Sequence, residues 1–197
     1  MKNGIRALTL LCFAWIGCPL LSAQGIPAAI RTINFSAFGG ATGDFTGLAG
    51  GRNIGITAGG NVGFRPYHLF YLSAEIRGTY PVAKGSIDGQ KNILVGVQVQ
   101  RFYNHFRPYA DALVGRAKID YLGGGYPNPE GTLLYETSVS NDLSFGGGLD
   151  YTLTPRFDLR IDAQVQHLST PVTTSGSIYS KPITLGLVYH FGTPALP

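Results

Sequence analysis

Charge is what this chain has least of. Only 13% of its 197 residues are Asp, Glu, Lys or Arg, against roughly 25% in ordinary soluble domains. A soluble fold needs that charged surface, so the composition points to a different solvent. Thiols are nearly as scarce. Cys12 and Cys18 both fall in an N-terminal stretch expected to be removed, as do Met1 and Trp15. The mature chain is therefore expected to have no disulfide, no thiolate metal ligand and no cysteine nucleophile. The four histidines are scattered without metal-ligand spacing, and Gly123 to Gly125 precede no helix, so neither a metal site nor a phosphate cradle is expected. The formal charge of +4 falls to about +2 once Lys2 and Arg6 leave, and no basic patch remains to suggest nucleic acid. No cofactor is implied.

Lys2 and Arg6 precede an apolar run from Ala7 to Leu21, and Leu21-Ser22-Ala23 offers a cleavage site before Gln24. The run is too short for a comfortable membrane helix and ends in small residues, so residues 1–23 read as a secretory signal. Residues 24–197 form the remaining domain. Gly17-Cys18 could instead serve lipidation after a lipoprotein-type signal, a motif that Trp15 fits badly.

What the chain does have is 28 glycines, 11 tyrosines, 11 phenylalanines and a repeated two-residue period. In Arg156 to Leu168, Phe157, Leu159, Ile161, Ala163 and Val165 alternate with Asp158, Arg160, Asp162, Gln164 and Gln166. This places apolar groups on one face of a strand and polar groups on the other. The same alternation recurs in Thr32–Thr42, Ile54–Phe64, Phe70–Arg77, Ile93–Gln100, Arg107–Gly115, Leu143–Thr152 and Ile183–Phe191. Arg116 and Lys118 break the apolar parity, which predicts either a bulge or a strand end beyond the apolar zone.

The connections fall into two classes. Arg65-Pro66-Tyr67-His68, Asn104-His105 and Thr154-Pro155 are tight. Asp44–Gly51, Pro81–Gln90, Tyr121–Asn141 and Ser169–Lys181 are longer and rich in Gly, Pro, Ser or Thr, and the residues after Phe191 read as a short tail. Each tight turn is flanked by rings: Phe64, Tyr67, Phe70 and Tyr71; Phe102, Tyr103, Phe106 and Tyr109; Tyr151 and Phe157; with Tyr189 and Phe191 closing the last segment. Rings with polar tips favour a membrane interface, so this clustering reads as a girdle. Eight such segments, alternately joined by tight turns and long loops, predict an all-β, eight-stranded antiparallel up-and-down transmembrane barrel with its apolar face to lipid. The alternative is a soluble lipocalin-like ligand-binding barrel with its apolar face inward, which would need a charged exterior.

With its export signal, strand count, loop asymmetry, Arg107-Pro108-Tyr109 strand start, Gly146-Gly147-Gly148 and aromatic final strand, the chain resembles the eight-stranded OmpA-like and OmpX-like outer-membrane barrels over about residues 30 to 192. The resemblance implies residence in the outer membrane, contact with its lipid, and insertion by the barrel assembly machinery through the C-terminal strand. It also implies a monomer that can meet an extracellular partner through its loops. Phe191 is followed by six residues, whereas such barrels often end on their final aromatic, and no wall-anchoring role is expected.

On the predicted inward face stand Glu75, Arg77, Asp111, Asp150, Asp158, Arg160 and Asp162. In a barrel this narrow they must pair or keep water, so Arg77 and Arg160 are expected to centre an ion-pair network that plugs the lumen. An ion path, or a carboxylate pair doing acid/base work, is the functional alternative. His167 and Ser169 are similar to the base and nucleophile of the lipid A deacylases, themselves eight-stranded outer-membrane barrels. No Asp or Glu follows Asp162 to orient the histidine, and Thr170 stands where that family has asparagine. A non-enzymatic envelope or surface-contact role is therefore expected, with deacylation as its rival.

Overall fold

The computed structural model describes residues 34–64 and 69–191. The proposed signal, the Arg65–His68 turn with Tyr67, and the tail after Phe191 lie outside the described residues. Ten strands follow in order: β1 (Asn34–Phe45), β2 (Arg52–Gly63), β3 (Phe70–Ala83), β4 (Asp88–Arg101), β5 (Phe106–Tyr121), β6 (Tyr126–Pro127), β7 (Leu134–Tyr135), β8 (Thr137–Thr154), β9 (Phe157–Ser169) and β10 (Ser177–Phe191). Eight close into one antiparallel barrel in the order β1-β10-β9-β8-β5-β4-β3-β2, while β6 and β7 form a small hairpin inside the longest loop. Closure depends on β1 pairing β10 from Phe35↔Phe191 to Phe45↔Lys181. An open edge there would leave a row of backbone groups unpaired in lipid.

The period-two pattern decides which way each side chain points. On β4, Val97 is 48% exposed and its neighbour Gln98 only 3%. Ile56, Ile76, Val95, Phe145, Ile161 and Leu185 likewise face out, whereas Asn61, Glu75, Asp111, Asp162 and Gln164 are buried inside. The apolar face is thus the outer one, and the soluble lipocalin-like alternative is excluded. The outward band is bounded by rings at both ends. In β1, Phe35 and Phe45 lie ten residues apart; at about 3.3 Å per residue and a tilt of about 40°, that spans about 25 Å, the height of an outer-membrane apolar band.

Several strands run further than hydrophobic alternation reveals. The loop expected over Pro81–Gln90 shrinks to residues 84–87, because Asp88 and Gly89 belong to β4. The loop expected over Tyr121–Asn141 shrinks to 122–136, and that over Ser169–Lys181 to 170–176. Beyond the apolar band the outward positions become polar, so the signal fades while the backbone ladder continues. Arg116 and Lys118 mark this passage: β4 and β5 keep an unbroken register from Asp88↔Tyr121 to Gln100↔Tyr109. Of the two expectations for that stretch, the strand emerging from the apolar zone is the one realised. Register shifts occur instead between Ile54 and Gly55 and between Thr152 and Thr154.

The tight turns follow from local chemistry. Asn104 takes φ 51°, which asparagine tolerates better than most residues, while Tyr103 and Phe106 exchange backbone hydrogen bonds of 2.8 Å. At the next turn the Thr154 hydroxyl accepts the Arg156 and Phe157 amides at 3.3 and 3.1 Å.

Candidate functional site

The candidate site is the lumen, and strand parity builds it. Arg77 and Glu75 project inward from β3, Asp111 from β5 and Asp162 from β9. The Arg77 guanidinium donates to Glu75 (2.6 Å), Asp162 (2.8 Å) and Asp111 (3.3 Å). Arg160 donates from Nε and Nη2 to the two oxygens of Asp150, both at 2.7 Å. Asp158 meets residues that the sequence did not mark as its partners: Arg107 Nη1 at 3.0 Å and His190 Nε2 at 2.7 Å. The seven inward charges expected from the sequence are thus all buried, in two clusters and one triad rather than a single chain.

Five carboxylates face three guanidinium groups here, so amides and a phenol supply the remaining donors. Asn61 donates to Glu75 (3.1 Å), Gln164 to Asp111 and Asp162 (2.9 and 3.0 Å), Gln100 to Asp150 (3.1 Å) and Tyr109 to Asp162 (2.7 Å). Rings complete the layer. The Arg160 guanidinium lies 4.5 Å from the Phe38 ring centre and 4.6 Å from that of Tyr109, and Arg77 lies 5.6 Å from Phe38. These contacts combine dispersion with cation–π attraction. They come from β1, β3, β5 and β9, so the stack crosses the lumen. Inward glycines make room for it: a Cβ on Gly59 would stand 2.5 Å from Phe38 Cζ, and one on Gly148 2.6 Å from the Tyr109 oxygen.

Towards the loop end, a hydroxyl ladder joins Thr184, Thr42, Thr57 and Thr79 with spacings of 2.6 to 2.9 Å. Above it the lumen turns apolar. Leu48, Ala117, Ile119, Tyr121, Leu168, Val172 and Ile178 pack together, with Ile87, Tyr126 and Tyr135 against them. All four long loops contribute to this cap, held by backbone bonds such as Leu122 N–H to Ile87 O at 2.9 Å. The sequence did not reveal the cap, because its members come one or two at a time from strand ends and loops. Asp88, beside it and above the apolar band, accepts from Thr46 (2.8 Å) and Gln90 (2.9 Å). Burial pushes its carboxyl above the ordinary range, and those two hydrogen bonds oppose the shift.

The opposite, turn end is wetter. Tyr71, Gln98, Arg107 and Arg160 line a cavity of about 60 Å³. Among the described residues Gln98 Nε2, Arg107 Nε and Arg160 Nη1 have no protein partner, and the space admits water able to satisfy them. Phe102, placed with the aromatic girdle in the sequence, turns into this end instead: its ring lies 5.1 Å from the Arg107 guanidinium and 6.0 Å from the Tyr71 ring. Tyr71 and Tyr109 are also inward. Phe64, Phe70, Tyr103, Phe106, Tyr151, Phe157 and Phe191 point outward, and Tyr189 packs between Phe157 and Phe191 at 5.1 and 4.8 Å.

His167 and Ser169 lie on the outward face of β9 near the loop end. The His167 ring packs 5.1 Å from that of Tyr179, and among the described residues it makes no side-chain hydrogen bond. Nothing in this arrangement orients the imidazole as a base.

The family model described as outer membrane protein beta-barrel domain matches residues 22–191. No curated protein matches the chain. Among solved structures, neisserial surface protein A is 18% identical, with a TM-score of 0.51 over 81% of this chain and 97% of its own. Ail, the attachment invasion locus protein of Yersinia pestis, is 16% identical, with a TM-score of 0.48 over 81% and 99%. OprG of Pseudomonas aeruginosa is 11% identical, with a TM-score of 0.43 over 83% and 98%.

Proposed function

The chain belongs to the outer membrane protein β-barrel family, and from that premise we propose a non-enzymatic role: a monomeric, plugged barrel that supports the envelope and meets partners through its loops. The observation that carries this is the lumen, crossed by the Arg77–Phe38–Arg160–Tyr109 stack and capped by the Leu168 and Ile119 cluster at the loop end. A buried guanidinium held by three carboxylates is costly to displace, so the layer serves as structure rather than as a path. In this reading the signal at residues 1–23 exports the chain, and the assembly machinery recognises β10, whose pairing with β1 seals the barrel. The tight turns face the periplasm and the loops face outward.

The experiment is conductance of the folded monomer in planar bilayers. Little or no current is expected. Stable single-channel currents whose selectivity changes in Arg160→Ala would show an open path and overturn the plug.

A further inference from the structure

The most asymmetric feature of the outer surface is a cationic quarter at the loop end of β3, β4 and β5. Arg116 and Lys118 share the outward face of β5, and Lys91 stands opposite Lys118 in register. Two-residue spacing along a strand and direct cross-strand pairing put the three heads within roughly 7 Å of one another at the Cβ level. Lys84, Lys91 and Lys118 converge on Asp120 at 3.6, 3.4 and 3.0 Å. That carboxyl is pushed up by burial but held below the ordinary carboxylate range by Lys118 and Lys91. Among the described residues Asp120 is the one carboxylate on the outward strand face at this end, and exposed Glu136 lies next to its cross-strand partner Thr137, so four cations meet two anions. Among the described residues Arg116 is engaged only by neutral Asn141, at 3.0 Å.

Among these heads lies a shallow, largely apolar groove of about 400 Å³, lined by Gly78, Tyr80, Ile93 and Val139 together with Lys91, Arg116 and Lys118. In register Val139 stands beside Lys118, and Gly78 and Ile93 stand level with Arg116, so the cations frame the groove. Gly78, opposite Ile93 in register, leaves the floor open, and Tyr80 forms a wall whose ring lies 6.0 Å from the Lys91 ammonium. Cations that merely needed water would snorkel away singly. Here they gather around an apolar groove at the border of the lipid band.

We infer that this quarter of the barrel is a binding site for an outer-leaflet lipid whose headgroup carries more than one phosphate charge, the phosphates on Lys91, Arg116 and Lys118 and an acyl chain in the groove they frame. Charge complementarity selects the headgroup: a net charge of two positive, with Glu136 counted beside Asp120, exceeds what a singly charged lipid neutralises. A guanidinium beside two ammonium groups also suits phosphate oxygens, and basic pockets at membrane surfaces hold anionic headgroups in this way. The inference rests on the orientation proposed above, with the loops on the outer side.

The test is native mass spectrometry of the folded barrel in detergent, titrated with diphosphoryl lipid A, chemically dephosphorylated lipid A and phosphatidylglycerol. Diphosphoryl lipid A should be retained at least ten-fold more tightly than either of the others, a comparison that needs no variant. The triple variant K91Q/R116Q/K118Q should lose that ten-fold preference while keeping its heat-dependent gel migration. Arg101→Gln, at the turn end over Phe70 and Tyr103, should keep it. Equal retention of the dephosphorylated lipid or of phosphatidylglycerol, or an undiminished preference in the folded triple variant, would overturn the site. Labelling of Glu130→Cys, exposed in the 122–136 loop, by a membrane-impermeant maleimide on intact cells separates the premises. If the cysteine is shielded until the outer membrane is opened, the loops-outward orientation fails; if it is labelled while retention is indifferent to phosphate, only the lipid site fails.

Discussion

Arg160 and Asp150 offer the sharpest test of how the lumen is held together. Their bidentate contact, 2.7 Å at both oxygens, is made by side chains only 3% and 2% exposed. Asp150 has one further donor, Gln100 at 3.1 Å. Arg160→Met would keep an apolar stem between Phe38 and Tyr109 but strand the carboxylate with that single amide. Asp150→Leu would strand the guanidinium, leaving it only the two ring faces. Removing one partner of a buried pair costs about 3 to 5 kcal/mol, whereas replacing both by apolar groups is often neutral or stabilising by about 1 to 4 kcal/mol. Each single variant should therefore lose about 3 to 5 kcal/mol, and the double variant should lie close to wild type or above it. The assay is urea unfolding in lipid vesicles, with the folded fraction read from heat-dependent gel migration. Additivity of the two single losses, within about 0.5 kcal/mol as for independent sites, would refute the claim that these charges are mutually required.

Three further outcomes are expected. Val97→Arg should cost about 2 to 4 kcal/mol, as a charge near the bilayer midplane does. Gln98→Arg should cost less unless the packed lumen refuses its volume, and quencher access to spin labels at 97 and 98 checks the orientation independently of sterics. His167→Ala and Ser169→Ala should leave lipid A unaltered in cells; loss of an acyl chain with the wild type, abolished by either substitution, would revive the deacylase alternative. Because the folded Asp88 carboxyl is raised above its unfolded value, its protonation favours the folded state: the gain is complete below the unfolded value and is lost as pH rises through the folded one. Wild type should thus tighten its cap on acidification relative to Asp88→Asn, seen as slower amide exchange at Leu122 when both are compared at each pH. Identical pH profiles would contradict this.

How much of this was legible beforehand depended on whether a feature lay inside the apolar band. Within it, one residue of alternation assigns both faces of a strand, so Val97 outward and Gln98 inward followed from the pattern alone. The inward charges were legible for the same reason, since Glu75, Arg77, Asp111 and Asp162 share a parity with Gln98 and Gln164. Outside the band the period still holds, but polar residues occupy both faces, and the ends of β3, β4, β8 and β10 were read as loop.

The partners were not legible. Arg107 read as a strand start and His190 carried no mark, yet both reach Asp158 because closure brings β5, β9 and β10 around one narrow lumen. Phe102 sits just outside its strand, where alternation no longer assigns a face, and only the tertiary arrangement turned it onto Arg107. The apolar cap has the same character: Leu48, Ile119, Leu168 and Val172 are distant in the chain and acquire a common neighbourhood only when the loops fold inward.

By itself, then, the sequence determined the class of solvent, the number and direction of the strands, and the side on which each strand residue falls. Those properties are local, set by a two-residue backbone period and by the cost of placing charge or open backbone in lipid. The tertiary structure alone decided which charges pair, where the lumen is closed, and that Lys84, Lys91, Arg116 and Lys118 share one patch of surface. Each of these depends on inter-strand register and on loop paths, which bring together residues that no spacing along the chain relates.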